Sequence, residues 1–122
     1  MTTTDDIRRW AMALPEVEEG VHFRFHVPYF KVRGRPFVGI GRGETTVVFR
    51  VSEQEAGDAA AADPDACEAV RRLGATRSFL GLQVELGKLP EQRKRSLVEE
   101  AWSRQAPKRL VAARAEGRRR QP

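Results

Sequence analysis

Cysteine is almost absent from this 122-residue chain: Cys67 is the only one. No internal disulfide can form, which fits a reducing compartment. Cys67 stands beside Glu68, and acidic neighbours raise a thiol's pKa, so a buried structural cysteine is expected rather than a nucleophile. Long apolar runs are missing too. None approaches the roughly 18 residues a membrane-spanning helix needs. The N-terminus carries Asp5 and Asp6 and has no apolar signal core, so a cytoplasmic location is expected.

The chemical signatures are equally sparse. No HxH, HExxH or CxxC spacing occurs. His22 and His26 lie close in sequence, but four residues along a strand would hold them about 13 Å apart, too far for one ion. Gly39 to Gly43 looks like a hairpin and lacks the following helix of a phosphate loop. Ser52, Ser78, Ser96 and Ser103 have no nucleophile-elbow context. The expectation is a protein that is not an enzyme and carries no cofactor and no metal. A spatial pair such as Glu19 and His22 stays open as a catalytic alternative, as does weak metal binding by the acidic residues from Glu53 to Asp65.

What the chain has is charge, unevenly placed. The net charge is +5, and residues 107–122, with six basic residues and one acid, hold all of it. Residues 22–51 carry six basic residues and one acid, whereas residues 52–69 carry six acids and no base. Arginine supplies 18 of the 22 basic residues. An arginine- and alanine-rich composition is what a GC-rich genome produces, so the clustering by sign is the informative part.

Hydrophobic period places the elements. Ile7, Trp10, Ala11 and Leu14 form a helical stripe that Pro15 ends. An acidic connection follows. Strand-like alternation then covers His22–His26, Tyr29–Arg33, Pro36–Ile40 and Thr45–Val51, with turns at Gly34 and at Gly41-Arg42-Gly43. Ser52 and Glu55 form a capping box opening an Ala-rich helix to about Ala62. Residues 66–78 have no clear pattern. Phe79–Leu86 alternates as a further strand. A third helix carries Leu97, Val98, Ala101 and Trp102, and Pro107 restarts a short turn through Leu110 and Val111. The expected architecture is α+β in two layers: an antiparallel sheet of about five strands with helices on one face, in the order α-β4-α-β-α. One domain spans residues 1–113, and a basic disordered tail spans 114–122.

Leu14-Pro15-Glu16-Val17-Glu18-Glu19, His22-Phe23, and Tyr29-Phe30-Lys31-Val32-Arg33-Gly34-Arg35-Pro36-Phe37 resemble the MmcQ/YjbR family of small bacterial proteins. Ala106-Pro107-Lys108-Arg109-Leu110 is similar to it as well. The resemblance covers about residues 4–112. It implies an α+β fold akin to the frataxin-like architecture and to a double-wing DNA-binding domain, with DNA as the partner. Many relatives have a Gly-Trp pair before the last strand. Here the matching residues are Ser78-Phe79 and Gly81-Leu82, so a role depending on that tryptophan does not carry over.

If the strand phases hold, Arg24, Lys31, Arg33 and Arg50 share one sheet face with Tyr29, and Arg35 and Arg42 sit at turns. Strands space alternate cations about 7 Å apart, close to the phosphate spacing of a nucleic-acid strand, and Tyr29 can stack on a base. The plainer alternative is a solvated face, with Arg50 or Arg24 paired to acids of the second helix. A further alternative is a protein-interaction or small-ligand module, with a second copy of the chain as partner.

Overall fold

The structure is a computed structural model that describes residues 2–22, 26–71 and 78–120. Helix α1 spans Thr4–Met12, and the strands β1 to β4 are Val17–Val21, Pro28–Val32, Arg35–Ile40 and Thr46–Phe49. Helix α2 spans Glu53–Ala62, followed by β5 (Cys67–Arg71) and β6 (Phe79–Glu85). Helices α3 and α4 are Glu91–Gln105 and Lys108–Arg120. The strands form one antiparallel sheet in the order β1-β2-β3-β4-β6-β5.

The helices start and stop where the local chemistry says. The Thr3 N–H donates to Asp6 Oδ2 at 2.9 Å, closing the start of α1. At α2, the Glu55 N–H donates to Ser52 Oγ at 3.1 Å and the Ser52 N–H to Glu55 Oε1 at 3.3 Å, which is the reciprocal capping box. Arg33 (φ 49°) and Gly34 (φ 82°) occupy the two central positions of the β2–β3 hairpin. A two-residue loop with positive φ at both positions matches the right-handed twist of the strands it joins.

Register sorts side chains onto two faces. Phe30, Val38, Phe49 and Leu82 lie opposite one another across β2, β3, β4 and β6 and are buried. Ile40, Val47, Val84 and Cys67 form the next buried row. The register shifts in β3 between Pro36 and Val38, and the extra residue at the bulge, Phe37, is also fully buried. Helices α1 and α3 cover this face, with Ile7, Trp10, Leu97, Val98 and Trp102 buried against it. Trp102 Nε1 donates to the Pro15 carbonyl at 3.1 Å, tying α3 to the end of α1. Helix α2 lies over β5 and β6 and is joined to α3 by Arg104 and Glu55 at 2.6 Å. Tyr29, Lys31, Val48 and Gln83, on the opposite face, stay half-exposed.

Four expectations need correction. The acidic stretch after Pro15 is the edge strand β1: Val17 pairs with Val32, and an edge strand tolerates Glu18 and Glu19 because water reaches them. The strand expected over His22–His26 lies partly outside the described residues. Its ends belong to the β1–β2 connection, where the His26 N–H donates to the His22 carbonyl and His26 has φ 55°. The undecided region contributes β5, whose Glu68, Ala69 and Val70 gain strand geometry from pairing with β6, so the sheet has six strands rather than five.

The fourth correction concerns residues 114–120, which continue α4 instead of fraying. Leu110 and Val111 pack on the core. Arg114 bonds Glu99 at 2.6 Å and its guanidinium lies 5.8 Å from the Trp102 ring centre. Short helices draw most of their stability from such packing rather than from propensity, so sequence composition alone understates this one.

Candidate nucleic-acid interface

The uncovered face is built around Tyr29. Its cross-strand neighbours are Gly20 on β1 and Gly39 on β3. A Cβ on Gly20 would come within 2.6–2.8 Å of Tyr29 Cζ, Oη and Cε1, so the outer end of the ring reaches over that glycine. Covering an edge glycine with a cross-strand aromatic stabilises the sheet. Beyond Gly39 the same row continues through Val48 and Gln83 to Glu68.

A shallow hollow of about 570 Å³ opens beside the ring, lined by His22, Tyr29, Pro36, Val48, Arg50 and Leu80 among others. Most of its lining is apolar; Arg50 and His22 bring the polar groups. Lys31 projects from the same face two residues from Tyr29, with Nζ 4.0 Å from Glu18 on β1.

The expected constellation is therefore divided. Tyr29, Lys31 and Arg50 share the open face. Arg33 does not join them: it sits in the hairpin turn and makes two bonds to Glu16, at 2.7 and 3.2 Å. That pairing lowers the Glu16 carboxyl below its ordinary range and raises the Arg33 guanidinium. Arg35 begins β3 at the level of Val32, and Arg42 lies in the β3–β4 turn, so the two stand at opposite ends of β3. Arg24 lies outside the described residues. Sequence phase placed Arg33 on the face by extending strand alternation one residue into a left-handed turn.

The acids of α2 are engaged elsewhere. Glu53 meets Arg71 of β5, and Glu55 meets Arg104 of α3. Burial raises the Glu55 pKa, but the bonds from Ser52 and Arg104 outweigh it and leave the net shift downward. Glu19, the proposed partner of His22, is held instead by Arg8 of α1 at 2.8 and 3.2 Å, on the covered side of the sheet. Among the described residues, no three His, Cys, Asp or Glu gather closely enough to hold a metal. No helix among them is long and apolar enough to cross a membrane.

Sequence reasoning missed the two glycines beside Tyr29. The signal for Gly20 was hidden because β1 was read as a connection, and only register reveals which residue faces which.

An open antiparallel sheet, helices on its other side and a small, mostly apolar hollow on the free face define, among the described residues, an α+β domain with one uncovered sheet face. The YjbR family model matches residues 12–104, and the chain belongs to the YjbR family. Its fold is similar to that of the Deinococcus radiodurans protein DR2400, which carries the family domain DUF419: the TM-score is 0.69 at 19% identity, covering 84% of this chain and 77% of that one. No curated protein matches the chain.

Proposed function

We propose that this YjbR protein is a non-enzymatic DNA-binding module that acts through the uncovered face of its sheet. The observation that carries the reading is the half-exposed Tyr29 ring reaching over Gly20, with Lys31 and Arg50 on the same face. Two cations neutralise few phosphates, so charge alone supports only weak, mildly salt-dependent binding. Stacking an unpaired base on an aromatic ring contributes about 1–3 kcal/mol. The preferred ligand is thus single-stranded DNA, whose bases are free to enter the hollow.

Fluorescence anisotropy with single-stranded and duplex oligonucleotides across a salt series tests this. Single strands should bind more tightly to this face, and replacing Lys31 and Arg50 together by Gln should flatten the log–log salt slope by about 1.4, about 0.7 for each cation. Loss of no affinity in Tyr29→Ala would remove the reading.

A second reading has its own support. The apolar lining of the hollow, with Pro36, Val48 and Leu80, also suits a peptide or small ligand. It predicts no DNA affinity at this face and a dimer or other protein complex by light scattering.

A further inference from the structure

We infer that helix α4 is a second, separate polyanion site, one that takes the phosphate backbone of double-stranded nucleic acid. This goes beyond the sheet-face reading, since it lies on another element and uses another chemistry.

The argument starts from charge. Lys108, Arg109, Arg114, Arg118, Arg119 and Arg120 against the single acid Glu116 give α4 the entire +5 of the chain. The rest of the molecule is neutral. A flexible tail would spread that charge, whereas a 13-residue helix concentrates it along about 20 Å.

The helix also has two distinct sides. Leu110, Val111, Arg114 and Ala115 are half-buried toward the body, and Arg114 is committed to Glu99 and Trp102. Lys108, Arg109, Ala112, Ala113 and Glu116 are exposed. Small alanines between the cations let a surface approach closely.

Helix stability does not explain the pattern. Lys108 and Arg109 occupy the first turn, which contains no acid. There the dipole disfavours them, so they serve something outside the helix.

The choice between nucleic acid and a membrane follows from the apolar residues. An interfacial helix sinks an apolar face into the lipid. Here Leu110 and Val111 pack on the protein core, and the described exposed residues of the helix include no apolar side chain larger than alanine. A hydrated, evenly charged phosphate backbone suits that side.

The test uses the full chain in anisotropy with a random-sequence duplex of about 24 base pairs, as DNA and as RNA, from about 50 mM salt upward. Vesicles of phosphatidylserine and phosphatidylcholine serve as the competing surface. Both duplexes should bind comparably, because phosphate is common to them. The variant K108Q/R109Q should keep its helix by circular dichroism and lose at least about tenfold in duplex affinity, with a salt slope shallower by about 1.8. Tyr29→Ala should leave duplex binding unchanged, so the fate of the sheet-face reading is scored separately. The inference is overturned by an absence of duplex binding at low salt, by full affinity in K108Q/R109Q, or by vesicle binding that displaces duplex.

Discussion

Glu16 and Arg33 both hold left-handed backbone, at φ 57° and 49°, and their side chains meet in a two-pronged ion pair across the β1–β2 end of the sheet. The pair removes Arg33 from the open face. What remains there among the described residues is Tyr29 with Lys31 and Arg50.

That division predicts an unequal response to charge removal. Arg33→Gln should leave single-stranded DNA affinity unchanged, whereas Lys31→Gln and Arg50→Gln should each weaken it and flatten the salt slope by about 0.7. Tyr29→Ala should cost about 1–3 kcal/mol of binding. Titrations of the four variants in one buffer check this; equal losses in Arg33→Gln and Arg50→Gln would show that the face was assigned wrongly.

Gly20→Ala probes the ring itself. The new methyl would stand 2.6 Å from Tyr29 Cζ, so the ring must move off β1. Tyr29 is the only tyrosine, giving one set of ring signals in NMR. Those signals should shift and single-strand affinity should fall, while the fold persists because the clash is with the far end of a side chain.

Gly81→Ala meets something firmer. Its Cβ would lie 2.5 Å from the Phe49 carbonyl oxygen, which is backbone at the end of the β4–β6 ladder. Overpacking of this kind costs about 1–3 kcal/mol. The urea midpoint should drop with the m-value unchanged; an unaltered midpoint would mean that the strands can part freely.

Lys94 supplies a pH dependence. It is 2% exposed on α3 and donates to the Leu86 carbonyl. Burial lowers its pKa from the ordinary 10.5, with Glu91 and Asp6 opposing. The folded state therefore releases this proton at lower pH than the unfolded chain, and the Lys94 contribution to stability rises as pH climbs from the folded value toward 10.5. Cys67 works in the other direction at alkaline pH, since burial and then Asp63 raise its thiol pKa. Subtracting the stability–pH curve of Lys94→Met from that of the wild type isolates the lysine. The difference should slope upward in the alkaline range, and a flat difference would contradict the burial effect.

Much of the fold was legible in the chain. Ile7, Trp10 and Ala11 mark α1, Ser52 and Glu55 mark the start of α2, and Gly34 marks the β2–β3 turn. Each is a local signal, set by helical period, capping or turn geometry within a few residues. β1 and α4 were misread because their local composition is acidic or basic and polar. Val17 becomes a strand residue by pairing with Val32, and Arg114 becomes helical by packing on Trp102.

The sequence by itself determined the α+β class, most helix and turn positions, the family motifs and the concentration of net charge in the last residues. Tertiary structure alone decided which cations share a face and which are held in ion pairs. Arg33 finds Glu16 17 positions away, and Arg104 finds Glu55 49 positions away. Ion-pair partners and shared faces depend on register between distant segments, and no local period encodes that register. The same physics turned the basic tail into a helix with one side docked and one side free.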